Sequence, residues 1–165
     1  MFKVNDYVIY KRDLCKIKEI TDNKGVLFYK LAPLDDESLI IRIPVDNKQN
    51  NLRYPISKEE SEELIKKIPL IKEIDTKDKI LDNIYKELMK TNKHEDLIRI
   101  IKTTYLRNQK RLEEGKKILD KDSNYFEKAE KYLYNELSIS LGMNYDECKQ
   151  YVISKLSAID NSNNL

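Results

Sequence analysis

The sequence has no tryptophan, and in 165 residues it has only three glycines, four prolines and two cysteines. So little glycine and proline argues against collagen-like and low-complexity chains and against a glycine-rich phosphate-binding loop. Cys15 and Cys148 have no second cysteine or histidine at metal-ligand spacing, so neither a disulfide framework nor a zinc site is predicted. We expect two reduced thiols, with Cys15 half-buried in a strand, and no bound cofactor.

The chain also lacks a long apolar run. Nothing in it approaches the roughly 20 apolar residues that a membrane-spanning helix needs, and the opening MFKVND has no secretory apolar stretch. We therefore expect a cytoplasmic protein. Its 31 basic and 29 acidic residues leave a formal charge of only +2, so the local placement of charge says more about partners than the total does.

What the first 55 residues do have is the short-period pattern of β-strands. The alternation slips at Ile20, which is typical of a bulge or a strand end, and residues 21–25 then supply a hairpin turn. Because four or five short strands leave open edges when flat, we predict a small curved antiparallel barrel over residues 1–55. The strands are predicted at residues 6–10, 14–20, 26–31 and 38–45.

Residues 56–160 instead show apolar positions at helical spacing, which predicts a bundle of about five helices. The fold class is therefore α+β, a β-barrel followed by an all-α domain. A capping box, a C-cap glycine and a final N-cap are predicted, and residues 161–165 are expected to fray. The capping positions are Ser57 with Glu60, Gly142 and Asn144.

Three other residues invite a functional interpretation but have a simpler structural one. Tyr85 and Tyr105 fall in the apolar phase of their helices, which favours core positions over stacking on bases. His94, the single histidine, is expected to be exposed near a helix start, without a catalytic partner. Since the sequence offers no acid–base pair or nucleophile set either, we predict that the protein is not an enzyme.

One strong charge asymmetry occurs, between residues 99 and 117, with seven basic and two acidic residues. Both a solvated helix face and a phosphate-contacting stripe account for such a run. Within it, Glu113–Lys117 contains a glycine and lysines but not the spacing of a phosphate-binding loop. That stretch is predicted to be a helix interruption or an exposed helical segment.

Four stretches, in this order, resemble the CarD family of bacterial transcription regulators: MFKVNDYVIY at 1–10, LIIRIPVDN at 39–47, LRYPIS at 52–57 and AEKYLYNEL at 129–137. The resemblance implies an N-terminal Tudor-like domain, shared with the transcription-repair coupling factor, that binds the RNA polymerase β subunit. It also implies a helical domain that contacts promoter DNA and alters open-complex stability without catalysis. Docking on polymerase would raise the effective concentration of a weak DNA-binding face.

The resemblance also assigns residues to the polymerase contact. Arg42 stands at the basic position of the fourth strand that family members use against polymerase, and its alternation with Ile41 and Ile43 puts it on the outer face. The DNA contacts are expected to be backbone contacts that ignore base sequence. The polymerase set is Ile41, Arg42, Ile43 and Pro44. The DNA set is Lys77, Lys79, Arg99, Lys102, Arg107 and Lys110.

Two departures from the family pattern bear on function. Lys11–Asp13 is a short polar turn where many relatives have a run of proline, histidine and glycine. Many relatives also have a tryptophan near the start of the second bundle helix, which wedges the minor groove. Lys77 stands there in this chain, and lysine can contact phosphate but cannot stack as a flat wedge.

Because the chain lacks this tryptophan, a second function is also possible. The chain could be a protein-interaction adaptor that binds polymerase but has lost productive DNA binding. One observation separates the two, namely whether the four basic residues of the third predicted helix are exposed together on one face opposite the barrel. Those residues are Arg99, Lys102, Arg107 and Lys110.

Overall fold

The structure, a computed structural model, describes residues 1–49 and 51–163, with side chains described up to residue 160. The chain divides into two compact units, Met1–Ile56 and a second unit that starts at Ser57. The division falls one residue after the boundary predicted from the sequence. Within the described residues, no helix has the length and apolar character needed to cross a membrane.

The first unit is a five-stranded antiparallel sheet with the order β4-β3-β2-β1-β5. No pairing joins β4 to β5 in the part of the chain described, so the sheet is open and the predicted closed barrel is not observed. The last strand pairs with β1 over only two residues, which is too short an edge to close the sheet. The strands are β1 (Tyr7–Tyr10), β2 (Asp13–Asn23), β3 (Val26–Pro33), β4 (Ile41–Pro44) and β5 (Leu52–Arg53).

A β-bulge in β2 explains the slip in the sequence pattern. The pairing of β2 with β3 shifts between Ile17 and Glu19, which leaves Lys18 as the extra residue. An extra residue reverses the faces of the side chains that follow it. As a result Ile17 and Ile20 both pack against the core, and the strand continues beyond the position of the slip.

The core of this unit lies on the inner face of the sheet. Cys15 is fully buried there, more deeply than predicted, and burial raises the pKa of its thiol to about 12. Such a thiol stays protonated and unreactive in the folded protein. The buried cluster consists of Val8, Cys15, Ile17, Tyr29, Leu31, Ile43 and Leu52.

The second unit contains five α-helices among the described residues, in agreement with the predicted number. A short 3-10 helix, Ile68–Leu70, follows the first of them. The last helix extends into the segment predicted to fray, as far as Asn163, and residues 164 and 165 lie outside the described part. The helices are α1 (Lys58–Lys67), α2 (Asp78–Lys90), α3 (His94–Glu113), α4 (Asp120–Leu141) and α5 (Tyr145–Asn163).

Local capping chemistry sets the helix ends, and the predicted caps are confirmed. The backbone N–H of Ser57 donates to Glu60 Oε2 at 2.7 Å, and the N–H of Glu60 donates to Ser57 Oγ at 3.1 Å. Asn144 Oδ1 accepts from the N–H of Glu147 at 2.9 Å at the start of α5. These bonds satisfy N–H groups that the helix itself leaves unpaired.

Two glycines end helices in left-handed conformations. Gly115 follows α3 with φ +70°, and the next N–H, of Lys116, donates to the carbonyl of Arg111 at 2.8 Å. The Glu113–Lys117 run is therefore a helix interruption. Gly142 ends α4 in the same region, at φ +66°.

Gly142 allows backbone strain to be tested apart from steric clash, because a Cβ added there would meet no atom within 4 Å. We expect Gly142→Ala to lower the free energy of unfolding by about 1–2 kcal/mol, the cost of a β-carbon in this region. Gly142→Asn should cost less, since asparagine tolerates the left-handed conformation. Urea unfolding of the two variants measures the difference, and equal losses would contradict the strain interpretation.

Candidate functional site

The first candidate surface is the outer face of β4, which contains the residues predicted to bind polymerase. The predicted alternation holds, with Arg42 and Pro44 exposed and Ile43 buried. Ile43 belongs to the core and Ile41 is half-buried against it. Of the four predicted contact residues, therefore, only Arg42 and Pro44 present exposed side chains.

Arg42 is positioned by an aromatic ring. Its guanidinium carbon lies 5.0 Å from the centroid of Phe28 on β3, a cation–π distance. The neighbouring cation Lys30 is bound to Glu19 at 2.7 Å. No carboxylate pairs with Arg42 in the described part of the chain, so its exposed guanidinium has no internal anion.

Exposed apolar residues flank β4 at both ends. Leu39 and Ile40, directly before the strand, are each 49% exposed. After the strand, the N–H of Val45 donates to the carbonyl of Leu27 at 2.9 Å, and the Leu27 side chain is itself exposed. An apolar margin around an exposed cation is typical of a protein-interaction surface.

The second candidate surface, on α3, proves to be divided. Lys102 donates from Nζ to the backbone carbonyl of Ile68, and to that of Ile71 at 2.6 Å. Burial lowers the pKa of Lys102. Its ammonium group therefore satisfies carbonyls at the end of the 3-10 helix and is not presented to an outside partner.

Arg107 is also engaged inside the helical unit. Its Nη1 donates to Asp78 Oδ1 at 2.7 Å, and its Nε donates to Asp122 Oδ2 at 3.0 Å. The hydroxyl of Tyr85, which is 1% exposed, lies 3.4 Å from the other oxygen of Asp122. The predicted core position of Tyr85 is confirmed, so this ring is not an exposed wedge.

The other four residues of the predicted DNA set remain accessible. Lys77, Lys79 and Lys110 are exposed, while Arg99 is half-exposed and lies 3.8 Å from Asp96. Lys110 lines a surface pocket of about 300 Å³ together with Asp78, at the start of α2. Arg99 lies about 16 Å before Lys110 along α3, at 1.5 Å per residue. Because Lys102 and Arg107 between them are bound inside the helical unit, the four basic residues of α3 do not form one exposed group.

Two sequence predictions on α3 are wrong. His94 is not exposed, because its Nε2 lies 2.9 Å from Oε2 of the buried Glu136 on α4. Tyr105 is not in the core but 52% exposed, whereas Thr104 is fully buried. The buried face of α3 passes through Ile100 and Thr104, and Tyr105 lies about 100° away from Thr104 on the helix.

The sequence reasoning missed a group of lysines on α2 and α4. Three of them line a cleft of about 340 Å³, and a fourth, Lys121, binds Asp82 on α2. The helical spacing of these lysines could have identified the group. A count of charge along the chain does not detect it, because acidic residues such as Asp82 and Glu87 lie between the lysines. The four lysines are Lys86, Lys90, Lys121 and Lys128.

Comparison with protein-family models and with curated proteins gives no match to this chain. Among the residues described, no group of three His, Cys, Asp or Glu side chains is arranged to hold a metal ion. A functional hypothesis for this protein therefore depends on the chemistry of its two surfaces and on the sequence resemblance.

The structural role of Arg107 can be tested against that of its exposed neighbour. Arg107→Met leaves the carboxylate of Asp122, which is 3% exposed, without its cation, and we expect a loss of about 3 kcal/mol of unfolding free energy. Lys110→Met removes the same charge from the same helix at an exposed site and should change stability by less than about 0.5 kcal/mol. If urea unfolding gave Arg107→Met a loss as small as that of Lys110→Met, Arg107 would not be structurally important.

Proposed function

We propose that the protein is a CarD-like transcription regulator that is not an enzyme. In this proposal the N-terminal unit is a Tudor-like domain that binds the RNA polymerase β subunit. The helical unit contacts promoter DNA, and the two contacts together change the stability of the open complex. The observation that carries the proposal is Arg42, an outward-facing cation on an edge strand, at the position that the CarD resemblance assigns to polymerase contact.

The surroundings of Arg42 support a protein partner. Because β4 is at the edge of the sheet, its backbone groups that point away from β3 are not used in strand pairing among the described residues. Leu39 and Ile40 add apolar area beside it. A partner could therefore be held by charge, backbone hydrogen bonds and apolar contact at one place.

For the DNA contact we propose Lys77, Lys79 and Lys110, with Arg99 contributing from further along α3. Exposed lysines release counterions when they approach phosphates, which gives affinity without base recognition. Lys77 stands at the N-cap of α2 and makes no side-chain capping bond. With Tyr85 buried, we propose that DNA is held by its phosphates and is not wedged open at this position.

The internal engagement of Lys102 and Arg107 favours the second candidate function. Two of the four basic residues expected to form the α3 stripe are committed within the helical unit. A protein that binds polymerase but has no productive DNA contact would fit that loss. Polymerase binding is common to both candidates, so the DNA measurement decides between them.

The polymerase contact is tested by Arg42→Glu. Charge reversal at a docking surface costs several kcal/mol through like-charge repulsion or a lost pair, so the affinity for the isolated β-subunit lobe should fall roughly a hundredfold. The matched control is Lys24→Glu, which makes the same charge change at an exposed turn of the same unit. Unchanged capture of the lobe by Arg42→Glu would remove the assignment.

The DNA contact is tested by the triple variant Lys77→Gln, Lys79→Gln and Lys110→Gln. If each lysine meets a phosphate, the slope of log affinity against log salt should fall by about one per lost contact. A promoter fragment and a shuffled sequence should be bound equally well by the unchanged protein. Failure of the unchanged protein to bind either duplex at low salt would favour the adaptor.

A further inference from the structure

The lysines of α2 form a stripe along one side of the helix. Lys79, Lys86 and Lys90 fall within about 40° of arc at 100° per residue, and all three are exposed. Lys79 is already part of the proposed DNA contact. The stripe therefore extends that contact along α2, from its first turn to its last residue.

A second stripe lies on α4. Lys121, Tyr125 and Lys128 share one side of that helix, and both lysines are exposed. The ring of Tyr125 packs against Tyr85 of α2 with 4.8 Å between centroids. Its hydroxyl donates to Asp82 Oδ1 at 3.2 Å.

The two stripes meet at Asp82. Lys86 of α2 binds one oxygen of this carboxylate at 3.0 Å, and Lys121 of α4 binds the other at 3.0 Å. Hydrogen bonds from Lys86 and Lys121 lower the pKa of Asp82, which therefore stays ionised. One carboxylate thus holds two ammonium groups beside each other across the helix pair.

Between the helices is the cleft of about 340 Å³, which charged, polar and apolar side chains line together. Tyr125 and Met89 belong to its lining, and Asn83 contributes an amide. The Lys128 ammonium lies 5.9 Å from the Tyr132 ring, with no carboxylate bound to it in the described residues. Lys90 and Glu87 form an exposed pair at 3.0 Å, a type that contributes little and breaks easily.

We infer that this cleft between α2 and α4 is a binding site for the sugar–phosphate backbone of nucleic acid. Among the described residues, the five lysines of the two stripes bind only two carboxylates, because Lys86 and Lys121 share Asp82 and Lys90 pairs with Glu87. Ammonium groups therefore outnumber the carboxylates that bind them. The inference rests on the DNA-contacting half of the proposed function, and it extends the contact from the start of α2 to the cleft.

The lining favours nucleic acid over a small anion or an acidic peptide. Lysines spread along two helices match a ligand whose negative charges repeat along its length. The aromatic and amide groups between them suit a sugar or a base edge next to the phosphates. A compact phosphate would occupy only one end of such an arrangement.

The test removes three cleft charges while keeping side-chain length, with Lys86→Gln, Lys90→Gln and Lys128→Gln in the full chain. The matched control is Lys58→Gln, Lys66→Gln and Lys67→Gln on α1, where three exposed lysines include a similar pair, Lys66 with Glu63 at 3.1 Å. Fluorescence anisotropy with a labelled duplex, between about 50 and 200 mM salt, gives the affinity and the salt slope. Melting temperatures verify that both variants fold.

We expect the cleft variant to bind at least about tenfold more weakly, with a salt slope lower by about three, while the control binds like the unchanged protein. Equal weakening in both variants would mean a general charge effect and overturn the inference. Unchanged affinity in the cleft variant would also overturn it. Binding of inorganic tripolyphosphate at the cleft that displaces no DNA would overturn it as well.

Capture of the β-subunit lobe, measured in parallel, separates this inference from the proposed function. Cleft-dependent DNA binding without polymerase binding would overturn the regulator proposal and leave the cleft intact. Polymerase and DNA binding that do not depend on the cleft lysines would overturn the cleft inference and leave the regulator proposal intact.

Discussion

The pairing of Arg107 with two carboxylates is the interaction on which the helical unit depends. Asp78 begins α2, Asp122 lies in the first turn of α4, and one guanidinium on α3 binds both. Because a planar fork fixes the direction of each bond, the starts of α2 and α4 are held in register against α3. The contact between the Tyr85 and Tyr125 rings then sets the spacing of α2 and α4, and the lysine cleft is a consequence of that spacing. A residue that looked like a DNA contact in the sequence thus positions the surface that we infer to be one.

Features that depend on neighbours in sequence could be predicted, and features that depend on distant partners could not. The capping box of Ser57, the N-cap at Asn144 and the glycine that ends α4 each need only a few adjacent residues, so their patterns are visible in the chain. Arg107 meets Asp78 across 29 positions, and His94 meets Glu136 across 42. Nothing local marks such a pair, so the sequence predicted an outward DNA contact for Arg107 and an exposed position for His94. The cleft was hidden for the same reason, since its lysines come from two separate helices.

The β unit shows the same division. Alternation identified four of the five strands and the outward position of Arg42, and it located a disturbance in β2, but it did not identify β5. It could not show that the disturbance is a bulge at Lys18, because a bulge is defined by the strand opposite. Nor could it show that the sheet stays open, since closure depends on how far β4 and β5 extend. Their short lengths leave β4 as an edge, and that edge is what makes the Arg42 surface a candidate for docking.

The two cysteines lie one in each unit, and both are fully buried. Burial raises the pKa of each thiol, so alkylating reagents can react only when the surrounding structure opens. The rate of thiol modification at Cys15 therefore reports the local opening of the sheet, and the rate at Cys148 reports that of the bundle. The native sequence thus carries a separate chemical probe of conformational opening in each half, with no label or substitution required.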